Sequence, residues 1–288
     1  MRFQFVAAEK AQYPIRTLCR CLEVSRSGFY AWRERQPSSR ALADVRLTAQ
    51  LRLAHAESHQ RYGRPRLVRA LRDRGVAVGG NRVARLMRAA GLRARGRRRF
   101  ITTTDSAHHL PVVPNRLRQK FGVRHVNRAW AADITACWTQ SGWCYLAVVL
   151  DLASRRIIGW AVRRSATSEL TVAALSLALP RLQRRRQRVI HHSDRGAQYV
   201  SDQYRALLAR HRITPSMSRV GNCWDNAPVE SFFSSLKTEL VPARPWADAQ
   251  VATAAIAEYI DFYNRQRLHS ALDYRSPVVF EMALAAAR

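Results

Sequence analysis

Apolar positions recur along this chain with two different periods, and the change between them divides it. In residues 14–35, Ile15, Leu18 and Leu22 stand three and four apart, which predicts a short helix; a turn follows, and Ser25 or Ser27 can cap a second helix, Gly28-Phe-Tyr-Ala-Trp-Arg33. The helical period returns over 44–92. Leu47, Leu51 and Ala54 form one stripe, Pro65 opens a helix carrying Leu67, Val68 and Leu71, and Gly75 ends it. Gly79-Gly80-Asn81 reads as a turn and cap before a third helix, with Val83, Leu86 and Met87 inward and Arg82, Arg85 and Arg88 outward. Residues 93–127 lose all period: Arg93 to Arg99 is a charge run with glycine, and Thr102-Thr-Thr-Asp-Ser106 and Pro111-Val-Val-Pro114 are turn-rich, so the segment reads as a basic linker. Near Trp130 the pattern becomes that of strands. Trp130–Trp138, Trp143–Asp151 and Arg156–Val162 are β-rich runs separated by hairpin turns at Gln140-Ser-Gly142 and Ala153-Ser-Arg155. A helix at about 168–180, a strand at Val189–His191, a helix at about 201–210, a strand near Ile213–Met217, a helix holding Glu230 and a long helix at about 247–264 complete the reading.

Three antiparallel strands followed by alternating helix and strand is the order of an RNase H-like α/β fold, a mixed five-stranded sheet with helices. The expected organisation is therefore an N-terminal helix-turn-helix at 1–42, a second at 43–92, the linker at 93–127 and an RNase H-like core with C-terminal helices at 128–288. The helical segments have the size of helix-turn-helix units, whose second helix can enter a major groove. A helical hairpin formed by packing alone, or a basic face left in solvent, would give the same pattern.

Charge shifts the balance between those readings. The chain has 288 residues, 49 Lys+Arg against 20 Asp+Glu and a net charge of +29, which favours a polyanion, nucleic acid first, over an acidic protein or membrane surface. Residues 1–120 hold 27 of the basic and 7 of the acidic side chains, so the front of the chain is the expected main DNA-holding part. Lysine occurs only at Lys10, Lys120 and Lys237; arginine suits phosphate forks and base edges, although a GC-rich genome would produce the same bias. No apolar run has membrane-spanning length and no signal peptide opens the sequence. Cys19, Cys21, Cys137, Cys144 and Cys223 are odd in number and scattered, as reduced thiols are. With apolar residues at 47% of the chain, a sizeable core can be buried.

The candidate chemistry lies in three carboxylates. Asp133 stands in Trp130-Ala-Ala-Asp133-Ile-Thr135, Asp194 in His191-His-Ser-Asp194-Arg-Gly-Ala-Gln-Tyr199, and Glu230 in Gly221-Asn-Cys-Trp-Asp-Asn-Ala-Pro-Val-Glu230-Ser-Phe-Phe-Ser-Ser-Leu-Lys237, with 35 residues between the last two. Aspartate is disfavoured inside a strand, so Asp133 among apolar neighbours calls for an explanation. Asp194 before Arg-Gly could be a turn residue and Glu230 a first-turn charge. In the expected topology the strands of Asp133 and Asp194 are neighbours. Glu230 falls in the first turn of a helix that Asn226 can cap and Pro228 can open, where the helix dipole favours the ionised form. Ser234 and Lys237 share its face; Phe233, Leu236 and Leu240 form the packing stripe. Three hard-oxygen ligands from separate segments can hold two divalent cations side by side, the arrangement used for in-line phosphoryl transfer. Asp151, ending the second strand, and Asp225, read as a turn or cap residue, are the competing carboxylates.

These motifs resemble the catalytic segments of DDE transposases and retroviral integrases. Nearly the whole chain resembles the transposase encoded by the second reading frame of the large bacterial insertion-sequence family related to those integrases. Besides 191–199 and 221–237, the resemblance rests on Tyr62-Gly-Arg-Pro-Arg66, Arg82-Val-Ala-Arg-Leu-Met-Arg88 and Tyr259-Ile-Asp-Phe-Tyr-Asn-Arg-Gln-Arg-Leu-His-Ser-Ala-Leu272 with Ser276-Pro277. It implies a DDE-type transposase with Asp133, Asp194 and Glu230 as catalytic residues and metal ligands, and two Mg²⁺ or Mn²⁺ ions. It also implies Lys237 contacting DNA beside the active site, with Arg82, Arg85 and Arg88 on the DNA as well. Tyr263, Asn264, Arg267 and His269 would be a family signature, either packing and capping a helix end or touching DNA. The implied partners are double-stranded DNA, as element terminal repeats and target, further copies of the chain on DNA, and a first-reading-frame protein; no membrane is implied. The implied location is the bacterial cytoplasm, at the nucleoid. The His/Cys zinc module that opens retroviral integrases is not expected, because Cys19 and Cys21 precede His55 and His59 at poor spacing. A DNA-binding regulator, a decayed transposase or a nuclease that does not join strands are the rival functions.

Overall fold

A computed structural model describes residues 1–94, 113–182, 188–219, 223–241 and 245–287. The chain opens with three short helices, α1 (Arg2–Glu9), α2 (Ile15–Cys21) and α3 (Arg26–Glu34). They close around Val6, Leu18, Cys19 and Phe29. Ser25 caps α3 by accepting the Gly28 N–H at 3.0 Å. α1 is an addition to the sequence reading, which placed only the α2–α3 pair.

The second module is α4 (Ser39–Glu57), α5 (Arg64–Asp73) and α6 (Gly80–Ala89). Its interior holds the positions set by the helical period, Leu47, Leu51, Leu67, Leu71, Val83, Leu86 and Met87. Gly75, with φ at +78°, turns the chain out of α5 where an L side chain would be strained. Asn81 does not cap α6: the helix begins two residues earlier than that cap would place it, at Gly80, with Gly79 at the N-cap and no side-chain cap. The expected linker lies partly outside the described residues, including the Arg95–Arg99 and Thr102–Ser106 runs. Its end, from 113, is seated on the core and is no free tether. Leu117 is buried, and the Arg116 and Leu117 N–H groups donate to the Ser216 hydroxyl.

The core follows the expected order. β1 (Ala129–Thr139), β2 (Gly142–Asp151) and β3 (Ile157–Arg163) pair antiparallel; α7 (Ser168–Ala178) crosses over to β4 (Ile190–Ser193); α8 (Ala197–Val200) and α9 (Asp202–Arg210) lead to β5 (Thr214–Met217). The sheet order is β3-β2-β1-β4-β5, with β1, β4 and β5 parallel. α10 (Ala227–Glu239), α11 (Ala249–Arg265) and α12 (Pro277–Ala286) complete the chain.

The period-2 alternation of β1 divides the interior into two layers. Trp130 and Ala132 face a layer with α7, α8 and α9. Ala129, Ala131 and Cys137 face a layer with α10 and α11 that runs without a break into the interior of α4–α6. On the first side α7 lies so close to β3 that a Cβ at Gly159 would meet the Ala174 carbonyl oxygen at 2.1 Å, which requires glycine there. α12, not anticipated from sequence, is tied down by Glu281, which accepts from Arg156 and Arg181, each at 2.6 Å, and from Ser154 at 2.9 Å.

Candidate active site

The same alternation fixes where Asp133 points. It shares its strand face with Ala131, so it is turned toward α10. β1 and β4 pair in parallel up to Ala132↔Ser193, which makes Asp194 the residue that leaves β4 alongside Asp133. The Asp194 carboxylate accepts the Gly196 N–H at 3.0 Å. A Cβ at Gly196 would come within 3.1 Å of that same oxygen, so the small residue keeps the turn tight. Glu230 sits in the first turn of α10. That turn is fastened to β1 by Asn226, whose side-chain amide donates to the Ala132 carbonyl at 3.2 Å, one residue before Asp133. Asn226 occupies the N-cap position but makes no side-chain cap; the amide is spent on the strand instead.

Electrostatics bind these residues into one neighbourhood. Burial holds the Asp133 carboxyl well above the usual carboxylate range, the charge of Asp194 adds to this and that of Glu230 adds further, while the Ile134 N–H and Lys237 oppose it. Glu230 is raised as well, by desolvation. The three carboxylates and one ammonium therefore act on a common volume. Among the described residues no three His, Cys, Asp or Glu side chains stand close enough to hold a metal ion as they are.

The residues around this cluster are structural. His191 pairs with the Tyr204 hydroxyl at 3.0 Å, and His192 bridges the Ser216 and Ser218 hydroxyls at 2.9 and 3.2 Å. Burial pushes the two histidines down to about 3 and about 4, so both rings are neutral near pH 7 and serve to fasten β4 to α9 and β5. Asp151 is wholly buried and collects the N–H groups of Asn127, Ala153 and Ser154, which leaves it no role as an ion site. Asp225 does more than shape a turn. Its carboxylate takes hydrogen bonds from Asn115, Gln119 and Arg219 and is held far below its usual range, chiefly by Arg219, so it pins the end of the linker to the start of α10.

The chain matches two family models described as integrase core domain, over residues 123–223 and 211–277, and one described as HTH-like domain, over 43–100. It is 44% identical to the insertion element IS600 uncharacterized 31 kDa protein of Shigella sonnei, over 91% of this chain and 97% of that protein. It is 42% identical to transposase InsF for insertion sequence IS3A of Escherichia coli strain K12, over 98% of each chain. The chain belongs to the IS3 family of insertion-sequence transposases. With its integrase core it is a DDE-type DNA transposase, a polynucleotidyl transferase. It is also similar to a chain from the cryoEM structure of the simian T-cell lymphotropic virus intasome in complex with PP2A regulatory subunit B56 gamma, at 17% identity and a TM-score of 0.47, over 81% of this chain and 74% of that one.

In this IS3-family transposase the helix-turn-helix arginines differ in their freedom. Arg85 and Arg88 are exposed and Arg82 is half-buried. Asp44 on α4 binds both Arg82, at 2.8 Å, and Arg85. The Tyr62–Arg66 motif serves the join between module and core. The Tyr62 hydroxyl donates to the Gln266 carbonyl at 2.9 Å and accepts the Leu268 N–H at 3.0 Å; Arg66 donates to the Leu268 carbonyl at 2.9 Å. Arg61 lies 4.4 Å over the Phe262 ring. The Tyr263–His269 signature is likewise turned inward. Asn264 pairs with both backbone groups of Ile157, at 2.9 Å each, as a neighbouring strand would. Arg267 makes a buried ion pair with Glu239 at 2.6 Å, and His269 packs edge-on to Tyr263. Glu239 and Asp44 were not singled out from sequence, and Asn226 was read only as a helix cap. Only Glu239, a charge in line with the apolar stripe of α10, left a signal that could have found it.

Proposed function

We propose that this transposase binds the ends of its element through the 43–92 module and cuts and joins DNA strands at Asp133, Asp194 and Glu230, with divalent cations bound between those carboxylates. The observation that carries the reading is the shared field of the three groups. Asp133 lies on the strand face turned toward α10, Asp194 follows the end of the neighbouring strand β4, and Asn226 holds the Glu230 helix to β1, the strand of Asp133. Burial and mutual repulsion leave Asp133 short of positive charge, and Lys237 meets only part of that need. Three carboxylates are hard oxygen donors of the kind that Mg²⁺ and Mn²⁺ take, so the residues fit such an ion in chemistry. When bound, a pair of such ions would supply charge neutralisation at the attacking and leaving oxygens of an in-line displacement.

The chain's own residues do the rest. Lys237, on the Glu230 face of α10, takes a DNA phosphate and steadies the strand at the carboxylates. Arg85 and Arg88 hold phosphates of the end sequence, and Arg82 joins them when Asp44 releases it. No serine, tyrosine or histidine is required as a covalent nucleophile, because water cuts the strand in the first step and a freed 3′ hydroxyl attacks in the second. Synapsis requires at least two protomers on paired ends, and a first-reading-frame protein would add further DNA-binding and dimerising helices.

The test is a gel assay on labelled DNA carrying element ends, with Mg²⁺, Mn²⁺, Ca²⁺ or excess chelator. Cleavage and joining with Mg²⁺ or Mn²⁺, binding without efficient chemistry in Ca²⁺, and silence in chelator are expected. Joining in chelator would overturn the metal reading; cutting without joining would favour a nuclease, and binding alone a regulator.

A further inference from the structure

On the flank of α10 next to Glu230 lies a cavity of roughly 370 Å³ that the carboxylate site does not use. Its polar lining includes Arg66, Arg155, Arg267, His269, Ser231 and Ser235, and no acidic side chain is among its lining residues. Two of these groups have hydrogen-bonding capacity left unused. His269 is only 8% exposed, its ring is fixed by a hydrogen bond to the Tyr263 backbone, and its Nε2 atom has no hydrogen-bond partner. Arg155 stands at the β2–β3 turn with a left-handed backbone, φ +60°. Burial disfavours the charge of its guanidinium, Tyr263 and the Asp151 carboxylate offset this only in part, and the group makes no side-chain hydrogen bond or ion pair among the described residues. Arg267 and Arg66 are already engaged, by Glu239 behind the cavity and by the Leu268 carbonyl, yet their charge still reaches the His269 ring and helps push it down to about 3. The Ser235 hydroxyl accepts from Arg267, so its own proton is free to be donated. Ala227 and Pro228, at the positive end of α10, close one wall.

A half-buried arginine and serine hydroxyls around a cavity without carboxylates describe an anion site. We propose that this cavity takes a backbone phosphodiester of the DNA strand that passes the carboxylate site, with Arg155 as its principal contact. Ser231 is the residue after Glu230, so a strand lying across the first turns of α10 reaches both. A phosphate here would set the strand's position along α10 without reading sequence. The inference rests on the core holding DNA and not on the assignment of the three carboxylates.

The experiment measures binding of a short fluorescent duplex carrying an element end, by anisotropy across a salt series, in a full-length Asp133→Asn background so that cleavage plays no part. Arg155→Asn removes the charge while keeping a residue that tolerates a left-handed backbone. Ser231→Asp places an opposing charge at the cavity wall. Arg210→Ala, at an exposed site on α9, is the charge-matched control. Arg155→Asn is expected to weaken binding roughly tenfold at moderate salt and to reduce the salt slope by about 1, with Arg210→Ala changing neither appreciably. Ser231→Asp is expected to weaken binding at least as much, and covers the case in which the Arg155 variant folds poorly. Thermal melts with inorganic phosphate form the second arm, in which wild type is stabilised more than either variant. Arg155→Asn and Ser231→Asp both matching the control in affinity and slope would overturn the proposal. Phosphate protection without any effect on DNA binding would also overturn it, assigning the cavity to a free phosphate instead. A failed strand-transfer assay leaves this result untouched, so the two readings fail separately.

Discussion

Asp133 is a carboxylate that its surroundings oppose three times over: it sits in a strand, it is desolvated, and two further carboxylates act on it. Such a group is retained where its charge is needed. Asp133→Asn, Asp194→Asn and Glu230→Gln are each expected to reduce cleavage and joining to background while leaving DNA affinity within about twofold, since the basic surfaces are unchanged. Strand-transfer gels and anisotropy on the same preparations check both halves. Glu239 predicts a different phenotype. It is buried against Arg267 and also accepts from the Tyr259 hydroxyl, so Glu239→Gln leaves a buried cation without its counter-charge. A loss of stability of about 3–5 kcal/mol is expected in urea unfolding, with no selective loss of the joining step. Stability should also fall in acid. Burial holds the buried His191 and His269 down to about 3 each, below the ordinary value near 6.5, so the unfolded chain binds protons that the folded chain refuses. The destabilisation begins as pH drops through about 6.5 and grows until about 3; at pH 5 it amounts to roughly 2 kcal/mol per histidine, readable as a lower urea midpoint than at pH 7.5.

At the scale of elements, α6 carries the sharpest prediction. Replacing Arg82, Arg85 and Arg88 with alanine should weaken binding to element ends and lower the salt slope by about 2 to 3, because fewer counterions are released. Asp44→Asn should act oppositely, freeing two arginines and strengthening binding at low salt. Unchanged affinity and slope in the triple variant would take α6 off the DNA. The apolar period of α6 was legible in the sequence because helical spacing reports burial directly: Val83, Leu86 and Met87 are all inside. The strands were legible for the same reason, and their order placed Asp133 beside Asp194. What periodicity does not encode is a hydrogen bond between distant segments. Asn226 had the composition and position of a helix cap, and only the approach of β1 recruits its amide to Ala132. Tyr62 and Arg66 read as part of a DNA-binding motif, whereas their polar atoms meet the backbone about 200 residues on. α12 escaped notice because Pro-Val-Val-Phe-Glu-Met-Ala-Leu-Ala-Ala is apolar at almost every position and so shows no face.

For the whole molecule, the helical module and the core share one apolar interior joined by Tyr62, Arg61 and Arg66, so the proposed phosphate grip at α6 and the proposed chemistry at the carboxylates would be set on connected supports. A net charge of +29 opposes the close approach of free chains, and the joining step requires two DNA segments at one site. Light scattering at moderate salt is therefore expected to find a monomer or weakly associating species without DNA and a multimer with paired end DNA; a stable DNA-free dimer would show that protein contacts organise the assembly. The central claim, that three distant carboxylates form one cation-binding centre, is tested most directly by iron-directed cleavage. Fe²⁺ substituted for Mg²⁺ with ascorbate and peroxide cuts the backbone next to its ligands. The account predicts cuts at all three segments, around 133, 194 and 230, suppressed together by excess Mg²⁺ and by any one of the three carboxamide substitutions. Cuts confined to a single segment, or persisting unchanged in all three variants, would contradict it.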